Sequence, residues 1–523
     1  MSHSDASASV PPAPPQAPGD GRRWGRLFLL AVGLYVLAHL LLRLLASPTV
    51  GVDDVEQVIF SQSLALGYGT LQPPLYTWLL HGLELVLGPG VLAAALLKYA
   101  LLLLTYLGYY LSGRRLLNDP RLAVLAALSL SLLGPLAWGI HQGVTHTILL
   151  AAVCAWTLHA VLRIAATGQR RDYLWLGLLL SAGILAKFNY VLFALGLLAA
   201  ALAEPALRSR LLHRRFLLTL IPAAAVTLPY LAWVLADAQG VAAGLERKLV
   251  AGSDRPYLAG LWQGLRGLGV ALVEFLSPLW LVLALVLPGV YGRRHAPRGA
   301  EGLDAERLLA VFHLAVLGLL LAGVLAGGIT FLKGRWMHPV LMLAPLYAFV
   351  RLERRGYSLR RLRIHAWTLG VLAVLVMGAL ALQAWVAPRW GSTARIHEPW
   401  PELADRVARA TGLEQGTVAA ADEHIGGNFR VRFPRARVVT AHYPDYLPPP
   451  GTGEPGGCLL VWRGGKTAGP PAELLDYARD RLGVVLPAAG AVSGTAVAAL
   501  RHAPERTREI GWLWLPGGSG ECR

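Results

Sequence analysis

The sequence predicts a polytopic α-helical membrane protein that ends in a small α/β domain on the extracytoplasmic face. Three observations lead there. Of 523 residues, 55% are hydrophobic and only 15% are charged, with a mean hydropathy of +0.49, whereas soluble domains carry about 25% charged residues. Leu/Ala/Val runs of roughly 20 residues, the length that spans a bilayer, recur along most of the chain. Beyond residue 390 the composition changes, with Pro, Gly, Arg and Asp returning. A soluble enzyme is excluded. The formal charge of +17 raises nucleic acid as a partner, but polytopic proteins collect Lys and Arg in cytoplasmic loops for topological reasons. The membrane itself is the expected partner, and nucleic acid is not.

In chain order, residues 1–23 are rich in Pro, Ala, Ser and Gly and read as a disordered cytoplasmic tail. The first span, 24–46, is flanked by Arg22, Arg23 and Arg26. It is too long for a signal-peptide core and is followed by further spans, so it reads as an anchored helix. Ten more fall near 91–112, 122–138, 143–163, 173–187, 188–203, 217–236, 267–291, 308–330, 337–351 and 364–387. About eleven transmembrane helices result. Segment 75–87 is apolar but short and follows Pro73-Pro74, which fits an interfacial or re-entrant helix.

Charge settles the threading. With 75–87 kept out of the bilayer, Arg114/Arg115/Arg121, Arg170/Arg171, Arg208/Arg210/Arg214/Arg215, Arg293/Arg294/Arg298 and the arginines from Arg351 to Arg363 share one side with Arg22. The opposite side opens with 47–72, which holds no Lys or Arg. The N-terminus is then cytoplasmic, the protein sits multi-pass in the plasma (inner) membrane, and 390–523 lies outside. In that tail, 417–420, 437–440 and 458–462 read as short strands and 472–482 as a helix. Cys154, Cys458 and Cys522 are too few for a disulfide framework or zinc cluster, though Cys458 and Cys522, both outside, could bond. No fixed-period or inverted repeat is visible.

Residues 51–78 hold the chemistry. Asp53, Asp54 and Glu56 follow the first span without a neighbouring base. One reading is a solvated helix N-terminus, with Asp53 and Asp54 capping a helix over 55–66. Val55, Val58, Ile59, Leu64 and Leu66 would lay that helix on the outer membrane surface. Further on come Ser61-Gln62, Gly67-Tyr68 and Pro73-Pro74-Leu75, with Trp78 near the start of the second short helix. This ordered motif resembles glycosyltransferase family 39 and its bacterial relatives in the GT-C superfamily, the protein O-mannosyltransferases and the lipid A aminoarabinose transferases.

The resemblance implies a GT-C-like catalytic domain over 24–389 with interfacial helices on its outer face, and a donor sugar carried on a polyprenyl phosphate. It implies Asp53 as catalytic base. Asp54, where the family usually has Glu, becomes an acceptor orienter or the ligand of a divalent cation, the one cofactor implied. Gln72 stands where a basic residue often precedes Pro-Pro, which weakens any phosphate contact there. Glu56, Gln72 and Tyr76 remain candidate substrate contacts. Lys333 and Arg335 match in kind the donor-phosphate residues before a Pro-rich span, with His338 beside them. Lys187, followed by an aromatic residue and Tyr190, matches a second such position. As interfacial anchors these cations would need no function. His141 and Gln142 sit at another outer helix end, where a structural role is as natural as a substrate contact. With His146 they are too few for zinc. Glu246, Arg247, Lys248 and Arg255 in the loop 237–266 read as a solvated interfacial helix.

The reaction so implied is inverting transfer of a sugar from a polyprenyl-phosphate donor to a hydroxyl acceptor outside the membrane, on a surface glycolipid or glycan or on a protein. A carboxylate can take the acceptor proton during attack. Fixed cations can hold the charge gathering on the departing phosphate. A transporter or flippase is the alternative, but it would place ionisable residues near span midpoints. A degenerate member acting in binding or assembly is a third reading. In the outer domain, Asp422-Glu423-His424 and His442 read as strand-end and turn residues. The Gly426-Gly427-Asn428-Phe429-Arg430 segment followed by Phe433-Pro434 resembles the outer domains of bacterial relatives, which implies a role in acceptor access.

Overall fold

The computed structural model describes residues 20–523 apart from 69–71, 237, 251–255, 293–301, 451–455, 466–468 and 487–489. Residues 1–19 of the expected disordered tail, Arg255, the basic group Arg293/Arg294/Arg298 and part of the 51–78 motif lie outside the described residues, while 20–23, expected to belong to that tail, form the start of the first helix. Among the described residues six helices are long and apolar enough to cross a bilayer: Gly21–Ala46, Val91–Leu116, Thr145–Thr167, Arg214–Ala236, Ala305–Leu325 and Leu359–Trp385. Tyr190–Ala203 and Pro205–Leu211 make a seventh only as a pair bent by 110°. The count of eleven is therefore not reproduced by uninterrupted helices. The stretch expected over 122–138 is broken into Pro120–Leu128 and two irregular turns. That expected over 267–291 is interrupted where Leu276 gives way to Ser277-Pro278, since proline cannot donate to a helical ladder. The expected 337–351 span holds a 12-residue helix, Ala344–Arg355.

Helix α1 (Asp20–Ala46) leads into the short helix α2 (Asp53–Phe60), then α3 (Leu75–Leu87) and α4 (Val91–Leu116). Helix α3 has the expected bounds and 13 residues. Helix α2 departs from expectation in two ways. It stops at Phe60, leaving Leu64 and Leu66 beyond its end, and Asp53 and Asp54 form its first turn, with Val52 in the cap position. Val55, Val58 and Ile59 are fully buried, so this helix does not lie on a membrane surface. It packs on the Glu423–Arg432 helix of the C-terminal domain, where a Cβ on Gly427 would stand 2.7 Å from the Val55 carbonyl oxygen. The paired glycines of that segment serve close helix packing.

The C-terminal domain is a five-stranded sheet in the order β2-β1-β3-β5-β4. Strands β1 (Gly416–Ala420), β2 (Arg437–Thr440) and β3 (Gly457–Arg463) are parallel, and the Glu423–Arg432 helix makes the crossover from β1 to β2. Strands β4 (Val492–Leu500) and β5 (Ala503–Leu515) add an antiparallel hairpin. Three strands and the Ala472–Leu482 helix fall where expected. The hairpin was not anticipated, since β4 is rich in Ala, Gly and Ser, which carry weak strand signals. Trp400, Leu403 and Val407 pack with Ile425 and Phe429 on one sheet face, and Leu474, Ala478 and Leu482 on the other. Cys458 and Cys522 are disulfide-bonded, tying the chain's end to β3.

Candidate active site

The loop from α1 to α3 is gripped by the sheet domain. The Asn428 amide both accepts from the Val50 N–H (3.0 Å) and donates to the Val50 carbonyl (3.1 Å). Gln62 repeats the pattern on Val438, at 2.8 Å each way. That amide satisfies the free edge of β2, the outermost strand. The Tyr446 hydroxyl donates to the Phe60 carbonyl at 2.9 Å, and the Tyr443 hydroxyl to the Glu56 carboxylate at 3.1 Å. Helix α2 is thereby held from outside the bundle.

The two adjacent acids diverge. Asp54 is buried and forms a 3.0 Å ion pair with Lys98 of α4, itself buried. Its other oxygen faces no partner and borders a cavity of about 100 Å³ lined by His39, Arg43, His141, Gln142 and Arg395. Asp53 is half-buried and has no hydrogen-bond or ion-pair partner among the described residues. Burial holds its pKa above the ordinary carboxylate value, and the like charge of Asp54 adds to this, while Arg335, Lys98 and Lys187 oppose it. Burial and the nearby Asp53 charge push Glu56 up to about 7 against the Tyr443 hydrogen bond and Lys248.

Opposite Asp53 two cationic segments meet. Lys187 lies in the turn between the Arg170–Ala186 and Tyr190–Ala203 helices and donates to Thr147 Oγ1 at 2.8 Å. Asn189, two residues on, donates to the Trp336 carbonyl at 3.1 Å and joins this turn to the segment bearing Lys333 and Arg335. Lys333 stands 5.4 and 5.8 Å from the Phe331 and Trp336 ring centres. Between the two cations the Gly334 N–H donates to a Glu274 carboxylate oxygen at 3.2 Å, and a Cβ at Gly334 would meet that carboxylate at 2.4 Å. His338 hydrogen-bonds the Arg335 carbonyl through Nδ1 at 2.8 Å.

Not every expected contact is in this group. Tyr190 is a core residue, with its hydroxyl 2.9 Å from Thr157 Oγ1, because its helix turns that face into the bundle. His141 is wedged between the Tyr35 and Tyr99 hydroxyls (2.9 and 3.2 Å) and stacked on His39. Gln142 bonds Gln383 at 2.9 Å. Both therefore belong to the cavity beside Asp54, away from the cations. Tyr76 is fully buried under the acids, its ring 5.5 Å from His146, and Gln72 lies in the bend before α3. Around Asp54 the donor set does not fit a divalent cation: an ammonium holds one oxygen, and no group of three His, Cys, Asp or Glu side chains could hold a metal among the described residues. Two residues escaped the sequence reading: Glu274 gives no local signal, whereas Lys98 does, because a lysine within an expected span requires a partner. Tyr443 was expected as a turn residue, and it instead reaches Glu56.

Known proteins resemble this chain in sequence and fold. A family model described as dolichyl-phosphate-mannose-protein mannosyltransferase matches residues 71–233, a segment containing Lys98, His141 and Lys187. The lipopolysaccharide core galacturonosyltransferase RgtA of Rhizobium johnstonii is 31% identical over 441 residues, covering 84% of this chain and 87% of its own. RgtB of the same organism, also a lipopolysaccharide core galacturonosyltransferase, is 29% identical over 470 residues, 89% of this chain and 93% of its own. ArnT from Cupriavidus metallidurans, solved with bound undecaprenyl phosphate, has the same fold. Its TM-score is 0.59 at 14% identity, over 94% of this chain and 98% of that one. The chain belongs to the GT-C family of membrane glycosyltransferases that includes the lipopolysaccharide core galacturonosyltransferases.

Proposed function

We propose that the protein transfers a galacturonosyl residue from a polyprenyl-phosphate donor to a hydroxyl of the lipopolysaccharide core, with inversion, on the extracytoplasmic face of the inner membrane. The observation that carries this reading is Asp53: an unpartnered carboxylate whose surrounding positive charge comes from Arg335, Lys98 and Lys187. Its two relatives are named for that sugar and acceptor, and ArnT was solved with a polyprenyl phosphate. In the step, Asp53 takes the proton of the acceptor hydroxyl as its oxygen bonds the anomeric carbon. The bond from that carbon to the phosphate oxygen breaks, its electron pair leaves with the polyprenyl phosphate, and the product phosphate carries one more negative charge than the donor diester. Lys187, Lys333 and Arg335 lie where that charge gathers. Asp54, locked to Lys98, fixes the turn that presents Asp53 and touches no substrate. The Arg-rich loops support a cytoplasmic N-terminus with residues 390–523 outside.

The test is Asp53→Asn in membranes supplied with labelled polyprenyl-phosphate galacturonic acid and lipopolysaccharide core. Transfer is expected to fall by about 10²- to 10⁴-fold, the usual share of a general base. The wild-type rate should drop on acidification at a pH above the ordinary carboxylate range, because the base must be ionised and its pKa is raised. Unchanged transfer by folded Asp53→Asn protein removes Asp53 from the role.

A further inference from the structure

The cavity of about 100 Å³ beside Asp54 has no part in the transfer as derived so far. His39 and Arg43 of α1, Gln383 of the Leu359–Trp385 helix, Asp54 and Arg395 line it. Its walls are fixed to one another. Ser47 Oγ, just past α1, donates to the Ile396 carbonyl at 2.6 Å, and His397 hydrogen-bonds the Ala384 carbonyl through Nε2 at 3.0 Å. The segment that carries Arg395 is thereby tied to the ends of both helices.

Two buried atoms of this lining lack a partner, Asp54 Oδ1 and His39 Nε2. Both are acceptors. Asp54 gives its other oxygen to Lys98. His39 Nδ1 lies 3.0 Å from the Tyr35 carbonyl, which can only accept, so the ring hydrogen sits on Nδ1 and Nε2 offers a lone pair. A second ring proton would bury another cation one turn from Arg43, where the one acid of the lining already answers Lys98. Buried acceptors left unpaired are costly, so the fitting occupant brings two donors. It is also an anion. Arg43 spends two N–H groups on the neutral Ser47 and Thr49 carbonyls, at 2.9 and 2.8 Å, and Arg395 is exposed at the mouth. Neither arginine forms an ion pair among the described residues. Position then chooses among hydroxylated anions. Leu41 and Leu45 of α1 and Leu382 of the other helix are exposed beside the cavity, and on the topology proposed above these helix ends stand at the outer headgroup level. Asp53 does not line the cavity, so a hydroxyl held here is not the one whose proton Asp53 takes.

We propose that this cavity binds the headgroup of an anionic phospholipid of the phosphatidylglycerol class, with the phosphate at Arg395 and the two glycerol hydroxyls donating to Asp54 Oδ1 and His39 Nε2. The proposal rests on the membrane topology and not on which sugar is transferred. Native mass spectrometry of the delipidated full-length protein, titrated with phosphatidylglycerol or phosphatidylpropanol, tests it. These two phosphodiesters carry the same charge and differ only in the two hydroxyls. Wild type should bind phosphatidylglycerol about ten- to a hundredfold more tightly, the worth of two hydrogen bonds of which one is to a carboxylate. In His39→Asn an amide N–H can still serve the Tyr35 carbonyl while no acceptor reaches the Nε2 position, so the preference should fall about threefold to tenfold. Arg395→Gln, at an exposed position, should weaken both lipids by a similar factor and keep their ratio. Equal affinities in wild type mean that water serves the two acceptors and overturn the proposal. A preference unchanged in His39→Asn, or phosphatidylglycerol binding unchanged in Arg395→Gln, overturns it as well. Displacement of bound phosphatidylglycerol by lipopolysaccharide core oligosaccharide assigns the cavity to the acceptor and rules out the lipid.

Discussion

Asp53 and Asp54 are neighbours in sequence with opposite circumstances, and one side chain of α4 makes the difference. Lys98 closes a buried 3.0 Å pair with Asp54, while Asp53 on the next position of the helix has only distant charges to answer it. Removing one member of a buried pair strands the other, which costs about 3–5 kcal/mol, whereas replacing both by apolar groups is often tolerated. Lys98→Met should therefore lower the melting temperature of the purified protein markedly, and Lys98→Met/Asp54→Leu should recover most of the loss. A double variant no more stable than the single one would show that the pair is not the cause. The sequence displays the acids plainly, since three of them in a loop without Lys or Arg are conspicuous. Which acid is free was not legible, because the deciding partner lies 44 residues away and pairing across helices leaves no local pattern.

At the scale of elements, the site depends on places where backbone approaches backbone or a carboxylate. Gly334 is one. Its N–H holds Glu274, and the absent Cβ is what lets that carboxylate sit between Lys333 and Arg335 without touching either side chain within ion-pair distance. Glu274 is a positioning residue for the cationic turn. A methyl at Gly334 must push the carboxylate aside, and the loss of one hydrogen bond of about 0.5–1.5 kcal/mol loosens both cations. Gly334→Ala should raise the KM for the polyprenyl-phosphate donor about threefold to tenfold and leave the acceptor KM near its wild-type value. A change confined to the acceptor KM would detach this turn from donor binding. Elements were legible where periodicity is strong, as in α1, α4 and the Leu359–Trp385 helix. They were less so where Pro120, Pro135, Pro278 and Pro339 cut apolar runs into short pieces, since hydropathy averages over a break that hydrogen bonding does not.

For the molecule as a whole, the sheet domain holds helix α2, which bears the proposed base, in place. The sequence suggested an accessory part that modulates acceptor access, and its paired glycines and Asn428 carried no visible assignment to a partner. In the folded chain those residues, with Gln62, fasten the segment 50–62 at both ends by reciprocal amide bonds. The cations proposed for the donor and the proposed base thus come from different supports: Lys187, Lys333 and Arg335 from the bundle, Asp53 from a helix braced by the sheet domain. The split predicts separable kinetics. Gln62→Ala/Asn428→Ala leaves the domain its own core on both faces of the sheet and its Cys458–Cys522 bond, so the chain should still fold. It frees α2 to sample orientations in which Asp53 misses the acceptor proton. Misplacement of about 1 Å costs about a hundredfold in rate, so kcat should fall on that scale while the donor KM changes little. If the double variant instead loses donor affinity and keeps its kcat, α2 is held by the bundle alone and the sheet domain has no part in positioning the base.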